Sequence, residues 1–194
     1  MTISELQILL DLNKDNIVDV LDSNAAHYND DYVFVDNEDG QCYLFDKDGK
    51  MKNINGLTCI REYMFQDMPL HTIKIPNTVT SIGSFAFYGC KGLPSVTIGN
   101  GVTSIGSGAF YNCPGLTNVT IPDSVTRIGD WAFSSCISLM NVTIGNGITN
   151  IDEYAFYNCN ALKGLIFKGK TMDEVKAMDD YPWGINDTRK INIA

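Results

Sequence analysis

Val119–Leu139 reads VTIPDSVTRIGDWAFSSCISL, and the pattern of this stretch stands four times in the chain at a fixed step of 23 residues. Phe87, Phe110, Phe133 and Phe156 mark the step. Each follows an alanine (Ala86, Ala109, Ala132, Ala155), and each precedes by three residues a cysteine (Cys90, Cys113, Cys136, Cys159). Further columns keep the same register: Val79/Val102/Val125/Ile148, Ile82/Ile105/Ile128/Ile151, Leu93/Leu116/Leu139/Leu162, Val96/Val119/Val142/Leu165 and Ile98/Ile121/Ile144/Phe167. Self-similarity at one period is the signature of a solenoid. A single repeat holds too few apolar residues to close a core, so the turns must stack and share one.

Within a repeat, Leu93-x-x-Val96-x-Ile98 ends in period two, as a strand with one buried face does. Val102-Thr-Ser-Ile105 is a second short extended piece, set off by the turn dipeptide Asn100-Gly101. Pro76 and Pro122 stand at that bend in the first and third copies. Proline fixes the backbone and removes an N–H, so the alternation predicts two turn geometries. A worn first repeat precedes these copies. Leu70, Ile73 and Ile75 lie 23 residues before Leu93, Val96 and Ile98, whereas Ile60 and Phe65 are displaced by one.

These motifs resemble the BspA-type leucine-rich repeats of bacteria and some protozoa, over roughly Leu57 to Phe167. The resemblance implies a right-handed, curved solenoid of parallel strands. It also implies a surface that binds other proteins, since members of the family are often surface proteins of that kind. The expected fold class is α+β. The solenoid, residues 56–168, is expected between an N-terminal cap of helix and β-meander (1–55) and a helical C-terminal cap (169–194).

The chain carries a formal charge of −9, unevenly spread. Residues 1–55 hold 12 acids and 4 bases, while residues 56–194 hold 11 and 10. No basic stripe exists to neutralise phosphates, which argues against nucleic acid as a direct partner. An acidic module favours a protein partner with a basic surface, and Asp30, Asp31, Asp36, Glu38 and Asp39 are its candidate contact residues. The start, MTISELQILLDLNKD, lacks the positive n-region of a secretory signal. No stretch approaches the ~20 apolar residues of a membrane span. A cytoplasmic location is expected as the sequence stands, and the cell surface if a leader has been removed.

Ile3, Leu6, Leu9 and Leu10 form the stripe of a short amphipathic helix. Next, Asp11, Asn13, Asp15, Asp19 and Asp22 occupy positions 1, 3, 5, 9 and 12 of a calcium loop. The spacing resembles a dockerin-type loop, but Asn16 stands at the turn glycine and the exiting segment is a poor helix. Two short helices, the second capped by Asp15, are the preferred arrangement, and no cofactor is expected. From residue 32 to 55, YVFV, CYLF and KMKNI are separated by Asp39-Gly40 and Asp48-Gly49, the chemistry of a β-meander.

The four cysteines of the repeat column should stack inside the core as free thiols. Cys42 and Cys59 lie outside the ladder. With no C-x-x-C pair and only His27 and His71, a zinc site is not expected. Beyond Phe167, Thr171-Met-Asp-Glu174 is a capping box that opens a helix. Trp183 is expected to fold over the last rung.

No phosphate loop, nucleophile elbow or histidine metal motif is present, so the chain is expected not to be an enzyme. The polar columns hold Thr80/Thr103/Thr126/Thr149 and Thr97/Thr120/Thr143. Both columns read either as hydroxyl ladders with β-branched packing on the strand surface or as a contact surface. Thr97, Thr120 and Thr143 are candidates for a flat, uncharged contact face. The expected function is a non-enzymatic protein-binding module, a rigid scaffold presenting one broad face. The alternatives are a small acidic phage or mobile-element inhibitor that blocks a basic nucleic-acid-binding host protein, and a bacterial surface adhesin.

Overall fold

The computed structural model describes residues 58–194 apart from Pro69, His71 and Thr72, together with the backbone of three short strands nearer the N-terminus. Those three are β1 (Val33–Asp36), β2 (Cys42–Phe45) and β3 (Met51–Lys52). They pair antiparallel in the order β1-β2-β3, the meander expected from the Asp-Gly turns. The N-terminal helix, the calcium-loop residues Asp11, Asn13, Asp15, Asp19 and Asp22, and Asp30, Asp31, Glu38 and Asp39 lie outside the described residues. Asp36 is described only as strand backbone.

From residue 58 onward the chain winds through two parallel sheets. Short strands β4 (Cys59–Ile60), β6 (Ser81–Ile82), β8 (Ser104–Ile105), β10 (Arg127–Ile128) and β12 (Asn150–Ile151) form one wall. The other wall holds β5 (Ile73–Lys74), β7 (Ser95–Thr97), β9 (Asn118–Ile121), β11 (Asn141–Ile144), β13 (Gly164–Phe167) and β14 (Ile191–Ile193). The register pairs equivalent residues of successive repeats, as in Val96↔Val119 and Val119↔Val142. The displaced first repeat docks in the same way, with Ile60 opposite Ile82 and Ile73 opposite Val96. The one-residue deletion is therefore absorbed in the turn between them.

Because each column stacks on itself, the core is a set of parallel ladders. The rings of Phe65, Phe87, Phe110, Phe133 and Phe156 lie face to face at 5.1, 4.9, 5.2 and 5.5 Å. That spacing is close to the 4.7–4.9 Å between neighbouring strands, so backbone pairing and ring stacking are satisfied together. The column residues Ala86/Ala109/Ala132/Ala155, Phe87/Phe110/Phe133/Phe156 and Leu93/Leu116/Leu139/Leu162 are all buried. Alanine is required beside the ring because the turn backbones meet there. Phe87 N donates to Ala109 O at 2.7 Å, and Phe110 and Phe133 repeat the bond at 2.8 Å.

The alternation of proline and glycine at the bend has a structural counterpart. The amide of Asn100 donates to Asn77 Oδ1 at 2.8 Å, and that of Asn146 to Asp123 Oδ1 at 2.9 Å. Each Pro-Asx turn is thereby tied to the Gly-Asn turn above it. A Cβ on Gly99 or Gly145 would fall 2.7 or 2.6 Å from the carbonyl carbon of Pro76 or Pro122. Glycine is what lets the second turn of each pair sit on the proline.

The cysteine ladder is buried and reduced, as expected, and its thiols also have partners. The Sγ atoms of Cys90, Cys113, Cys136 and Cys159 donate at 3.1 Å to the carbonyls of Phe65, Phe87, Phe110 and Phe133. Burial raises the Cys90 and Cys136 thiols well above their ordinary value and pushes Cys159 up to about 12. Cys59 is free and exposed.

The expected α+β class and helical C-terminal cap need correction, because strand dominates the described residues. The capping box of Thr171 and Glu174 forms, but the helix it opens spans only Met172–Lys176. Tyr181-Pro182-Trp183 cannot continue it. The chain instead returns to the sheet, where Ile191–Ile193 pairs with Leu165–Phe167 as β14. Trp183 caps the ladder as expected. It is fully buried, its indole lies 5.7 Å from the Phe167 ring, and its carbonyl accepts the Phe156 amide at 3.1 Å. It thus stands where the next alanine would.

Replacing Phe110 by alanine removes a ring stacked on both sides and should cost about 3–5 kcal/mol in denaturant unfolding. Ellman titration of native protein should find at most Cys42 and Cys59. Cys90, Cys136 and Cys159 have folded pKa values above the unfolded value of about 8.5, so their contribution is complete below that pH. It is lost as pH rises toward about 12, the folded value of Cys159. Melting temperature should fall across this window, and fall less in Cys136→Ala.

Candidate interaction surfaces

Among the described residues no group of three or more His, Cys, Asp or Glu is placed to hold a metal ion. Both histidines lie outside them. What the solenoid offers is surface, and two longitudinal strips differ in chemistry.

The first strip is the outer face of the six-stranded sheet. Period two sends Val96, Val119 and Val142 inward and leaves Ser95/Thr97, Asn118/Thr120 and Asn141/Thr143 outward. In-register pairing places Thr97 beside Thr120 and Thr120 beside Thr143. Asn141 Nδ2 donates to Asn118 Oδ1 at 3.1 Å, a second polar ladder one step along the strands. The three predicted threonines are therefore brought together on a face that carries no charge across its middle strands. Beside them an open groove of about 390 Å3 is lined by Thr97, Thr120, Pro122, Asp123, Gly145 and Lys168.

The Thr80 column behaves differently, as its structural role requires. The hydroxyls of Thr80, Thr103, Thr126 and Thr149 donate to the carbonyls of Thr58, Thr80, Thr103 and Thr126 at 2.9–3.1 Å. They lace the turns together.

The second strip runs along the turns that lead from the five-stranded sheet to the six-stranded one. Each turn has two residues at positive φ. One column holds Asp67, Gly89, Asn112, Ser135 and Asn158, mostly the short polar or glycine residues that this conformation tolerates. The other holds Tyr63, Phe85, Gly108, Trp131 and Tyr154, with φ between 54° and 61°. A bulky residue there costs about 1–2 kcal/mol relative to glycine, yet four of the five are aromatic.

Their rings join those of a neighbouring column into a continuous ridge. Tyr63 stacks on Phe85 at 5.3 Å and Tyr88 on Tyr111 at 5.6 Å; Phe85 meets Tyr88 edge-on at 6.1 Å. Trp131 lies 6.5 Å from Tyr111, 5.9 Å from Tyr157 and 4.7 Å from Tyr154. Size is exchanged between turns to make this fit. A Cβ on Gly108 would fall 2.3 Å from the Phe85 ring. Ser134, fully buried, stands where Tyr88, Tyr111 and Tyr157 stand in other turns, and the Trp131 indole bridges the gap between its tyrosine neighbours. Trp131 is 39% exposed and Tyr157 45%.

Carboxylates collect at the same end. Asp130 and Glu153 precede Trp131 and Tyr154 in sequence. The Glu153 carboxylate raises the Tyr154 phenol above its ordinary value by hydrogen bonding and charge. Asp180 is raised by desolvation first, then by Glu153, Asp152, Asp179 and Asp130. Asp152, buried where the other copies have Gly83, Gly106 and Gly129, accepts Arg127 Nε at 3.0 Å and Nη2 at 2.6 Å. Neither the ridge nor this ion pair is apparent when the chain is aligned on its apolar columns, because both occupy columns whose residue type changes from copy to copy. The signal available was the aromatic residue before the alanine in Phe85, Trp131 and Tyr154.

The family model of the BspA type leucine rich repeat region matches residues 58–178 in six copies. Among solved structures, a leucine-rich repeat protein of T. pallidum (TpLRR) is 31% identical, with a TM-score of 0.56 over 57% of this chain and 52% of that one. A leucine-rich repeat protein from Eubacterium ventriosum is 22% identical, with a TM-score of 0.60 over 86% of this chain and 40% of that one. The pneumococcal vaccine antigen PcpA is 22% identical, with a TM-score of 0.56 over 75% and 38%. The chain thus spans about half or less of the length of these structures. Comparison with curated proteins finds no significant match. The matched region extends past Phe167 through the helix Met172–Lys176, taking in the displaced first repeat at its other end. With more than half of its residues accounted for by six copies of one motif, the chain belongs to the BspA-type leucine-rich repeat family.

Proposed function

We propose that the chain is a non-enzymatic protein-binding module that uses the outer face of its six-stranded sheet as a rigid contact surface. The observation that carries this is the in-register, uncharged run of Thr97, Thr120 and Thr143 beside the open groove. A partner docking there meets short polar side chains with little rotamer freedom to lose, and the ladders beneath hold them in place. The groove, at about 390 Å3, is large enough to receive an anchoring side chain of the partner. Placement of such a module on a bacterial surface is consistent with the family, and no helix among the described residues is long and apolar enough to cross a membrane.

The test is affinity capture from an extract of the source organism, with the wild-type chain and with Thr120→Arg immobilised side by side. An exposed threonine in mid-strand should accept arginine with a change in stability of less than about 0.5 kcal/mol. A protein retained by the wild type and lost from the variant, with melting unchanged, is the expected result. Equal retention by both would move the contact off this face.

A further inference from the structure

The aromatic ridge is not needed by the sheet-face reading, and it is not explained by packing alone. At a backbone position of φ 54–61° glycine suffices, as Gly108 shows, yet Tyr63, Phe85, Trp131 and Tyr154 stand there. Stacking between these rings returns part of the cost, but it does not account for the exposure of Trp131 and Tyr157. Clustered tryptophan and tyrosine are the residues that anchor protein interfaces.

The charge around the ridge selects the partner. Asp130, Asp152, Glu153 and Asp179 lie close enough to act on Asp180, and Asp130 and Asp152 also act on the guanidinium of Arg127. That guanidinium is spent on Asp152 Oδ2. Exposed rings beside surplus negative charge match one side chain above others. A guanidinium is planar, stacks on tryptophan and tyrosine, and forks onto carboxylates; an ammonium offers only the charge.

We propose that the C-terminal end of the ridge, formed by Trp131, Tyr154 and Tyr157 and flanked by Asp130, Glu153 and Asp180, docks arginine side chains of a protein partner. The stack places rings on successive turns about 5 Å apart. Asp130 and Glu153 lie at equivalent positions one repeat apart, beside Trp131 and Tyr154. Arginines at alternate positions of an extended segment parallel to the solenoid axis lie about 6.6 Å apart, a difference from the ring step that their long side chains take up, so two of them would each meet a ring and a carboxylate on the two turns.

Calorimetric titration of the full chain with a synthetic alternating arginine–glycine peptide tests this, with lysine–glycine and glutamate–glycine peptides alongside. The arginine peptide should bind at least about tenfold tighter than the lysine peptide, the margin that ring stacking adds to charge. Its affinity should fall as salt rises, and the glutamate peptide should not bind. Trp131→Gly, at a backbone already suited to glycine, should weaken arginine-peptide binding about tenfold or more. Should that variant melt early, the double variant Asp130→Asn, Glu153→Gln reads the acidic half of the site, with the same loss expected. Thr120→Arg, on the sheet face, should leave the affinity for this peptide unchanged, so failure here and failure of the sheet-face function are separable. Equal binding of lysine and arginine peptides would overturn the proposal, as would binding by both ridge variants at wild-type strength. A dimer in gel filtration that Trp131→Gly returns to monomer would assign the ridge to a second copy of the chain and overturn it too.

Discussion

The stacking of one phenylalanine ring on the next sets the length to which the rest of the molecule conforms. The centroids are 4.9 to 5.5 Å apart, close to the spacing of hydrogen-bonded strands. A larger step would break the strand ladders, and a smaller one would overlap the rings. Parallel, in-register pairing follows, because only equivalent residues can then face each other. Alanine beside the ring and leucine before the strand each fill a space that the same residue fills one turn away, while glycine at the bend sits on the proline of the turn before. Stability in such an array is a sum of neighbouring contacts, so a lost ring in mid-chain severs two interfaces and a lost cap only one.

Most of this was legible because the core repeats by identity. Eight columns in register at 23 residues fix the period, the strand faces and the burial of phenylalanine, alanine, leucine and cysteine. The displaced Ile60 and Phe65 were legible for the same reason, and their rings and strands pair as the shift requires. Where the physics depends on exchange between columns, sequence was weaker. Phe85 over Gly108, and Trp131 beside buried Ser134, conserve volume across turns without conserving residue type. The S–H bonds to phenylalanine carbonyls follow from backbone placement that periodicity does not specify. At the C-terminus, Ile191 and Ile193 return to the sheet 26 residues after Leu165 and Phe167 and not 23, which hides a strand from any search by period.

The two surfaces divide by origin. The sheet face takes its chemistry from outward positions of strands, where β-branched and short polar residues pair across neighbours. Its threonines and asparagines are what a pleated surface favours in any case. The ridge lies on turns, at a conformation that disfavours the residues found there. Rings held against a backbone preference are stronger grounds for function than polar residues that suit their strand, and strain of this kind collects at sites of recognition. Asp152 belongs to the same end of the molecule. It breaks the glycine column at the turn where the stack is about to finish, and Arg127 of the previous turn reaches across to hold it.

The outward residue at positive φ also bears on how such a chain can change over generations. Its side chain leaves the core untouched, as the alternation of phenylalanine, glycine, tryptophan and tyrosine at that point demonstrates. Duplication or deletion of two adjacent repeats by recombination between copies preserves the buried ladders and also keeps the proline–glycine alternation at the bend. The same event lengthens or shortens the ridge by two turns, each a step of about 5 Å. Point mutation then alters the character of one ring alone. The family's architecture thus separates two kinds of heredity: a core copied as a block, and a row of surface letters that can be edited one at a time.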